Sequence, residues 1–181
     1  MPLQVEIGDS IYEMERPSDL ESLWEAMEQD DFGEEERIPY WVEVWPAAIL
    51  LARWIARNPE EVAGRRCLDL GCGLGLCTLV AARAGAKVVG MDCELDAVRY
   101  NRENARRNSI PAPDVVRMDW RSCGFKPGSF SLVLAADIVY EPRFLEPVSS
   151  FLKQVLAPGG RVLLSTPSRR STSNLFSWLK S

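Results

Sequence analysis

The sequence predicts a doubly wound α/β fold, a mainly parallel sheet with helices on both faces. Three observations predict it. Five short strand-like runs alternate with helical stripes along the chain, the pattern of a parallel sheet joined by right-handed crossovers. One of those runs, Phe130–Ala136, is almost continuously apolar, as expected of a parallel strand covered on both faces. The first of them, Arg66–Leu70, feeds into Gly71-Cys72-Gly73-Leu74-Gly75, with glycine at every second position, before a helical run opens at Leu76. Glycine has no Cβ, so such a turn lets backbone come close to a ligand.

Taken in order, Gln4–Ile7 and Ile11–Glu15 are short alternating runs around Gly8-Asp9 and read as a hairpin. Ser18 followed by Glu21 has the spacing of a capping box, and Leu20, Leu23, Trp24 and Met27 give the helix behind it one apolar stripe. Asp30–Glu36 is too acidic to pack and reads as loop. Pro46 suits a first helical turn, and Ala47, Leu50, Leu51, Trp54 and Ile55 continue that helix until Asn58-Pro59 stops it. After the glycine turn a helix runs to Ala84, and Gly85-Ala86 leads into a second strand, Lys87–Met91, which ends in Asp92. A helix over 94–108 carries Leu95, Val98 and Ala105 inside, with arginines outside. Pro111 and Pro113 break it before a third strand, Asp114–Met118. Residues 121–128 read as loop. Phe130–Ala136 is the fourth strand, and Phe144 to Leu156 is a strongly striped helix. Pro158-Gly159-Gly160 turns into a fifth strand, Arg161–Ser165, and a helical patch at Asn174–Lys180 follows.

A chain of 181 residues, 46% hydrophobic, can build a sizeable single core. No apolar stretch approaches the ~20 residues of a membrane span, and the N-terminus lacks the basic-then-apolar pattern of a signal peptide. A cytoplasmic location is the expectation. The five cysteines, an odd number with no C-x-x-C spacing, read as reduced and mostly buried thiols. The chain has no histidine, so a Ser-His-Asp or Cys-His unit is excluded, and a zinc site would need four of the cysteines unaided. The net charge of −5 is unevenly spread. Residues 1–43 hold fourteen acids and two arginines, and residues 44–181 hold twelve acids and nineteen bases, mostly arginine. The chain therefore divides into an acidic N-terminal hairpin and helix arm over 1–37 and a more basic ligand-binding domain over 38–181. The arm is either a solvated acidic face or a surface that attracts a basic protein.

Ligands of an open parallel sheet bind at the carboxyl ends of its strands. Four strands here end in acids, at Asp69, Asp92, Asp119-Trp120 and Asp137. The glycines are spaced by two rather than as G-x-G-x-x-G, and no Walker lysine follows them, so neither a dinucleotide nor a nucleoside triphosphate is expected. An acid directly before the turn would repel phosphate and suits a cationic ligand. Asp92 follows Gly71 by 21 residues, about the spacing at which an acid meets a ribose diol. Asp119-Trp120 offers an acceptor and a flat surface to a purine. Ribose, adenine and a cationic tail together specify S-adenosylmethionine. The aromatic segment Tyr40-Trp41-Val42-Glu43-Val44-Trp45 precedes the glycine strand. Aromatics just before a helix are more often core than site, and Tyr140 has a helix-entry packing role as its lesser alternative.

The run Asp69-Leu70-Gly71-Cys72-Gly73-Leu74-Gly75 resembles the first motif of the class I, seven-strand, Rossmann-like methyltransferases. The likeness extends through Asp92, Asp119-Trp120 and Pro158-Gly159-Gly160, roughly residues 40–170. Trp45-Pro46-Ala47-Ala48 and Asp137-Ile138-Val139-Tyr140 resemble more narrowly the family-16 branch. That branch holds many protein-lysine methyltransferases, including those acting on electron-transfer flavoprotein, and its bacterial members often carry a nicotinamide N-methyltransferase-like label. The resemblance implies a cofactor site of Trp45, Asp69, Gly71, Cys72, Gly73, Gly75, Asp92, Cys93, Asp119, Trp120 and Ala136. It implies substrate-side roles for Asp137 and Tyr140; beside them, Tyr40, Trp41 and Trp45 are expected to form an aromatic rim that holds the sulfonium or the alkyl stem. The expected reaction is methyl transfer to a protein lysine, with no nucleic acid, membrane or metal involved. The alternatives are a small-molecule N- or O-methyltransferase, or an interaction module that has lost turnover. About fifteen residues follow the fifth strand, which leaves no room for the strand six/seven hairpin that ends the family fold.

Overall fold

The structure, a computed structural model, describes residues 2–22, 25 and 39–167. The chain opens with an antiparallel hairpin, β1 (Pro2–Ile7) and β2 (Ser10–Glu15), turned at Gly8-Asp9 with Gly8 at a φ of 58°. There follow helix α1 (Pro46–Arg57), strand β3 (Arg66–Leu70), helix α2 (Leu76–Arg83), strand β4 (Lys87–Asp92) and helix α3 (Leu95–Arg107). Strands β5 (Asp114–Arg117) and β6 (Phe130–Ala136), helix α4 (Leu145–Val155) and strand β7 (Leu156–Ser165) complete the described chain. The five long-range strands form one sheet in the order β5-β4-β3-β6-β7, parallel at every pairing. The order reverses between β3 and β6, the switch point where two neighbouring loops diverge to opposite faces and leave a crevice.

Alternation along the strands decides the two faces. Cys67, Leu132 and Leu134 point to one side, where they meet Leu51 and Ile55 of α1 and Leu76, Leu79 and Val80 of α2. Leu68, Leu70, Val133 and Ala135 point to the other, where they meet Val148, Phe151, Leu152 and Val155 of α4. Burial on both sides of β3 and β6 is why Phe130–Ala136 carries almost no polar residue. The hairpin contributes Val5, Ile7, Tyr12 and Met14 to the first of these layers, so it shares the core of the ligand-binding body. The boundary expected at residue 37 lies outside the described residues.

Several local expectations change. The helix after Pro17 opens at residue 20, and its cap is Asp19, whose Oδ1 accepts from the Ser22 N–H at 2.8 Å, instead of Ser18. A carboxylate one residue later reaches the third helical N–H. The remaining stripe (Leu23, Trp24, Met27), the acidic loop Asp30–Glu36 and the patch Asn174–Lys180 lie outside the described residues. Pro158-Gly159-Gly160 is an irregular excursion inside β7, not a turn before it. The pairing with β6 begins at Phe130↔Leu156 and resumes at Leu132↔Arg161, with Gly159 at a φ of 73°. Among the described residues the sheet ends at β7, and none of their helices is long and apolar enough to cross a membrane.

Candidate functional site: a cofactor cleft at the switch point

The glycine turn is shaped by its φ angles: 68° at Gly71, 48° at Gly73 and 97° at Gly75, all in the region side chains disfavour. Gly75 has a second constraint, since a Cβ there would lie 2.5 Å from Cγ of Asn101. The turn is pinned from several directions. The Gly71 and Cys72 N–H groups donate to the Met91 carbonyl, and the Gly73 N–H donates to Asp92 Oδ2 at 2.9 Å. Helix α2 follows directly on its N-cap Gly75, which has no side chain to cap it, and the Asp69 carboxylate meets only the Thr78 N–H of the first turn. Its first N–H groups, at residues that line the cleft, are therefore open to an anionic ligand group such as a carboxylate.

The turn borders a cleft of about 950 Å³. That lies near the top of the ~300–1,000 Å³ range of small-molecule sites, room for a cofactor and part of an acceptor. All thirteen residues expected at the site line it: Trp45, Asp69, Gly71, Cys72, Gly73, Gly75, Asp92, Cys93, Asp119, Trp120, Ala136, Asp137 and Tyr140. They come together because β3, β4, β5 and β6 all end at the same edge of the sheet.

The acids are not equivalent. Asp69 is 2% exposed and accepts from the Thr78 hydroxyl at 2.5 Å; burial pushes its carboxyl up to about 6. Asp92 is also nearly buried, and burial raises its pKa as well. Its two oxygens accept the Gly73 and Glu94 N–H groups, which leaves lone pairs for further donors, since a carboxylate offers about four acceptor sites. Asp119 is gripped by Arg121, whose Nε reaches both carboxylate oxygens at 3.0 Å. Asp137 stands at the end of β6 with a φ of 52°, an uncommon conformation for a residue with a side chain, and its N–H donates to the Ser165 carbonyl.

The aromatic residues form a continuous arc along the wall. Trp45 meets Tyr40 at 5.9 Å between ring centroids, Tyr40 meets Tyr140 at 4.9 Å, Tyr140 meets Phe144 at 5.0 Å and Phe144 meets Trp120 at 5.4 Å. The Trp45 indole N–H donates to the Tyr40 carbonyl and fixes the bend before α1. Trp41 belongs chiefly to the core beside it, packed on Tyr100, and its carbonyl lies close to Gly73. Burial pushes the Tyr140 phenol up to about 12, so it remains neutral and serves as a hydrogen-bonding group rather than a base. Seven carboxylates line the cleft (Glu43, Asp69, Asp92, Glu94, Asp119, Asp137, Glu141), against Arg121 and Arg143. Those two arginines are paired with Asp119 and Glu141, so the cleft favours a cation.

Phe144, expected on a helix stripe, is a cleft residue instead; it enters the arc because a 3-10 turn at Pro142–Phe144 precedes α4. The pairing of Glu43 with Arg16 is another, linking the cleft to the end of the hairpin. Asn101, Asn104 and Asn108 are structural residues that no motif in the sequence marks. Their spacing along α3, on the same face as Val98 and Ala105, is the signal that could have revealed three buried amides needing partners.

A parallel sheet with a glycine turn at its switch point, an acid closing each neighbouring strand and an electronegative, aromatic-walled cleft defines the class of S-adenosylmethionine-dependent methyltransferases. Among solved structures, a 16S rRNA N2 G1207 methyltransferase from T. thermophilus, in complex with AdoMet and guanosine, shares this fold with a TM-score of 0.68. It matches 98% of this chain and 45% of its own at 22% identity. The lysine methyltransferase family model matches residues 11–180, and the chain belongs to that family, whose cofactor is S-adenosylmethionine. The electron transfer flavoprotein beta subunit lysine methyltransferase of Danio rerio is 33% identical over 134 residues, 72% of this chain and 51% of that one. A histone-arginine methyltransferase of Xenopus laevis is 28% identical over 147 residues, 78% of this chain and 62% of its own. The chain thus spans about half the length of the first of these relatives.

Proposed function

We propose that this chain transfers the methyl group of S-adenosylmethionine to a side-chain nitrogen of a protein, a lysine in the first reading. The observation that carries the proposal is the acceptor-side wall, where Asp137 and Tyr140 stand beside a continuous aromatic arc in a cleft dominated by carboxylates.

When bound, the cofactor supplies an electrophilic methyl on a sulfonium, open to in-line displacement by an amine lone pair. The protein's own work is to bind, orient and exclude water. Asp92 would hold the ribose hydroxyls, each charge-assisted hydrogen bond contributing roughly 1.5–3 kcal/mol. Trp120 would offer its face to the adenine, with Asp119 and Cys93 at the edge. The turn residues Gly71, Cys72, Gly73 and Gly75, with Asp69 beneath, would seat the amino acid tail near the open N-terminus of α2. Trp45 and Ala136 would close the cleft over the methyl. On the acceptor side the reactive nitrogen must be neutral and about 3 Å from the methyl carbon. Asp137 would accept a hydrogen bond from that nitrogen and aim its lone pair. The neutral Tyr140 hydroxyl would fix the other side, and the arc would hold the alkyl stem and stabilise the ammonium product.

The name of the Danio rerio relative supports a lysine acceptor, and that of the Xenopus laevis relative favours a guanidinium as the second reading. Both acceptors are cationic side chains, which suits the charge of the cleft. The test is transfer of a tritium-labelled methyl group to a lysate of cells lacking the protein, followed by acid hydrolysis of any labelled band. Methyl-lysine is expected; methyl-arginine selects the second reading, and label confined to small molecules refutes both.

A further inference from the structure

Helix α3 carries Asn101 and Asn104 on its inner face and is closed by Asn108 as its C-cap, and all three are buried. Asparagine is a poor interior helix residue because its amide competes for backbone partners, and here two of the three find such partners in the N-terminal hairpin. The Glu15 N–H donates to Asn104 Oδ1 at 2.6 Å, and Asn104 Nδ2 donates to the Glu15 carbonyl at 3.2 Å. Asn108 does the same with Glu13: the Glu13 N–H donates to its Oδ1 at 2.9 Å and its Nδ2 donates to the Glu13 carbonyl at 2.8 Å. The two amides therefore satisfy the outward edge of β2 as a neighbouring strand would. An ion pair between Arg107 and Glu15 reinforces the docking.

The two asparagines differ in one respect. Asn104 Nδ2 also donates, at 3.0 Å, to the carbonyl of Leu74, which lies inside the glycine turn between Gly73 and Gly75. The second Nδ2 bond of Asn108 goes only to the Asn104 backbone of its own helix. One fully buried amide thus spans the hairpin edge and the cofactor turn. We infer that Asn104 is a positioning residue for the cofactor, and that the N-terminal hairpin braces the glycine turn through it.

The N–H groups of Gly73 and Gly75 are held by Asp92 and by the Cys72 carbonyl, while the Leu74 carbonyl between them is held by Asn104, and glycine on either side leaves that peptide free to turn once the bond is lost. Asp92, at the end of β4, fixes Gly73, and Asn104, on α3, fixes Leu74. Without Asn104 the turn samples more conformations, and ordering it must then be done at the expense of cofactor affinity. The hairpin shares the effect because its strand edge occupies the other half of the same amide.

The inference rests on the cofactor reading, and Asn108 supplies the control. Calorimetric titration of S-adenosylmethionine is run on the wild-type chain, Asn104→Ala and Asn108→Ala, each well below its own melting temperature. Both variants lose hairpin anchors and melt earlier. Asn104→Ala is expected to bind about tenfold more weakly, the loss that one hydrogen bond of ~1.4 kcal/mol represents, with Asn108→Ala within about twofold of wild type. Equal weakening in both variants, or an unchanged Asn104→Ala, overturns the inference and leaves the cofactor reading intact. No binding by the wild type overturns both. Should Asn104→Ala fail to fold, Asn104→Asp serves. Its neutral acid keeps one donor and its carboxylate none, so its cofactor affinity relative to wild type at the same pH, which cancels the titration of Asp69 and Asp92, should fall as the pH rises through the new acid's pKa, and a pH profile parallel to that of wild type refutes the role.

Discussion

Replacing Asp69 with asparagine separates charge from shape at the floor of the cleft. Asp69 is buried beneath the glycine turn and accepts from Thr78 Oγ1, and burial lifts its pKa from an ordinary 3.8 to about 6. The folded state therefore holds this proton more tightly than the unfolded chain. Between those two pH values the folded state binds more protons, so stability falls as pH rises. The neutral acid's contribution is fully present below about pH 3.8 and is lost once pH passes about 6. A shift of roughly two units corresponds to about 3 kcal/mol. Asparagine keeps an oxygen for Thr78 and cannot ionise. Urea unfolding of Asp69→Asn between pH 4 and pH 7.5 should show a stability profile flatter than wild type by about that amount. The variant should be the more stable protein at the upper end. Asp92 is raised as well and leaves a residual slope in both proteins. Parallel profiles for variant and wild type would show that Asp69 is not the buried, proton-holding group inferred from its surroundings.

Three further outcomes are expected. Asp92→Ala removes the anchor of Gly73 along with the acceptor proposed for the ribose, and should weaken cofactor binding about 10–100-fold by calorimetry; unchanged affinity would refute the ribose assignment. Gly75→Ala places a Cβ against Asn101 at a φ of 97°, and should cost more than ~2 kcal/mol in chemical denaturation; a loss below 1 kcal/mol would mean that the turn is looser than its geometry. Asp137→Gly and Asp137→Ala both lose the carboxylate, but only glycine suits a φ of 52°, so the glycine variant should be the more stable by about 1 kcal/mol; equal stabilities would argue against strain at that position.

The parallel sheet was legible because each of its signals is local. β3 and β6 kept the expected bounds, Arg66–Leu70 and Phe130–Ala136, since apolar runs buried on both faces announce themselves and are closed by acids or glycines. The strand-end acids were legible as a group because parallel topology forces them to one edge. What stayed hidden depended on partners distant in sequence. Asn104 and Asn108 pair with strand residues 89 and 95 positions away, and nothing near them in the chain marks an amide that caps a strand edge. The left-handed backbone of Asp137 is equally silent, because aspartate is compatible with both turn and strand-end conformations. Pro158-Gly159-Gly160 has the composition of a turn, and only its pairing with β6 shows it to be an excursion within β7.

The acceptor side of the cleft decides where the methyl group goes. Wild type and Asp137→Ala should be compared in one labelled-methyl transfer assay on the same lysate, with cofactor binding of both measured alongside. On the proposed role of Asp137, both bind S-adenosylmethionine with similar affinity, and only the wild type places label on the lysine of a protein band. Equal labelling by the two, or cofactor binding by the wild type with no label on any protein, would contradict it.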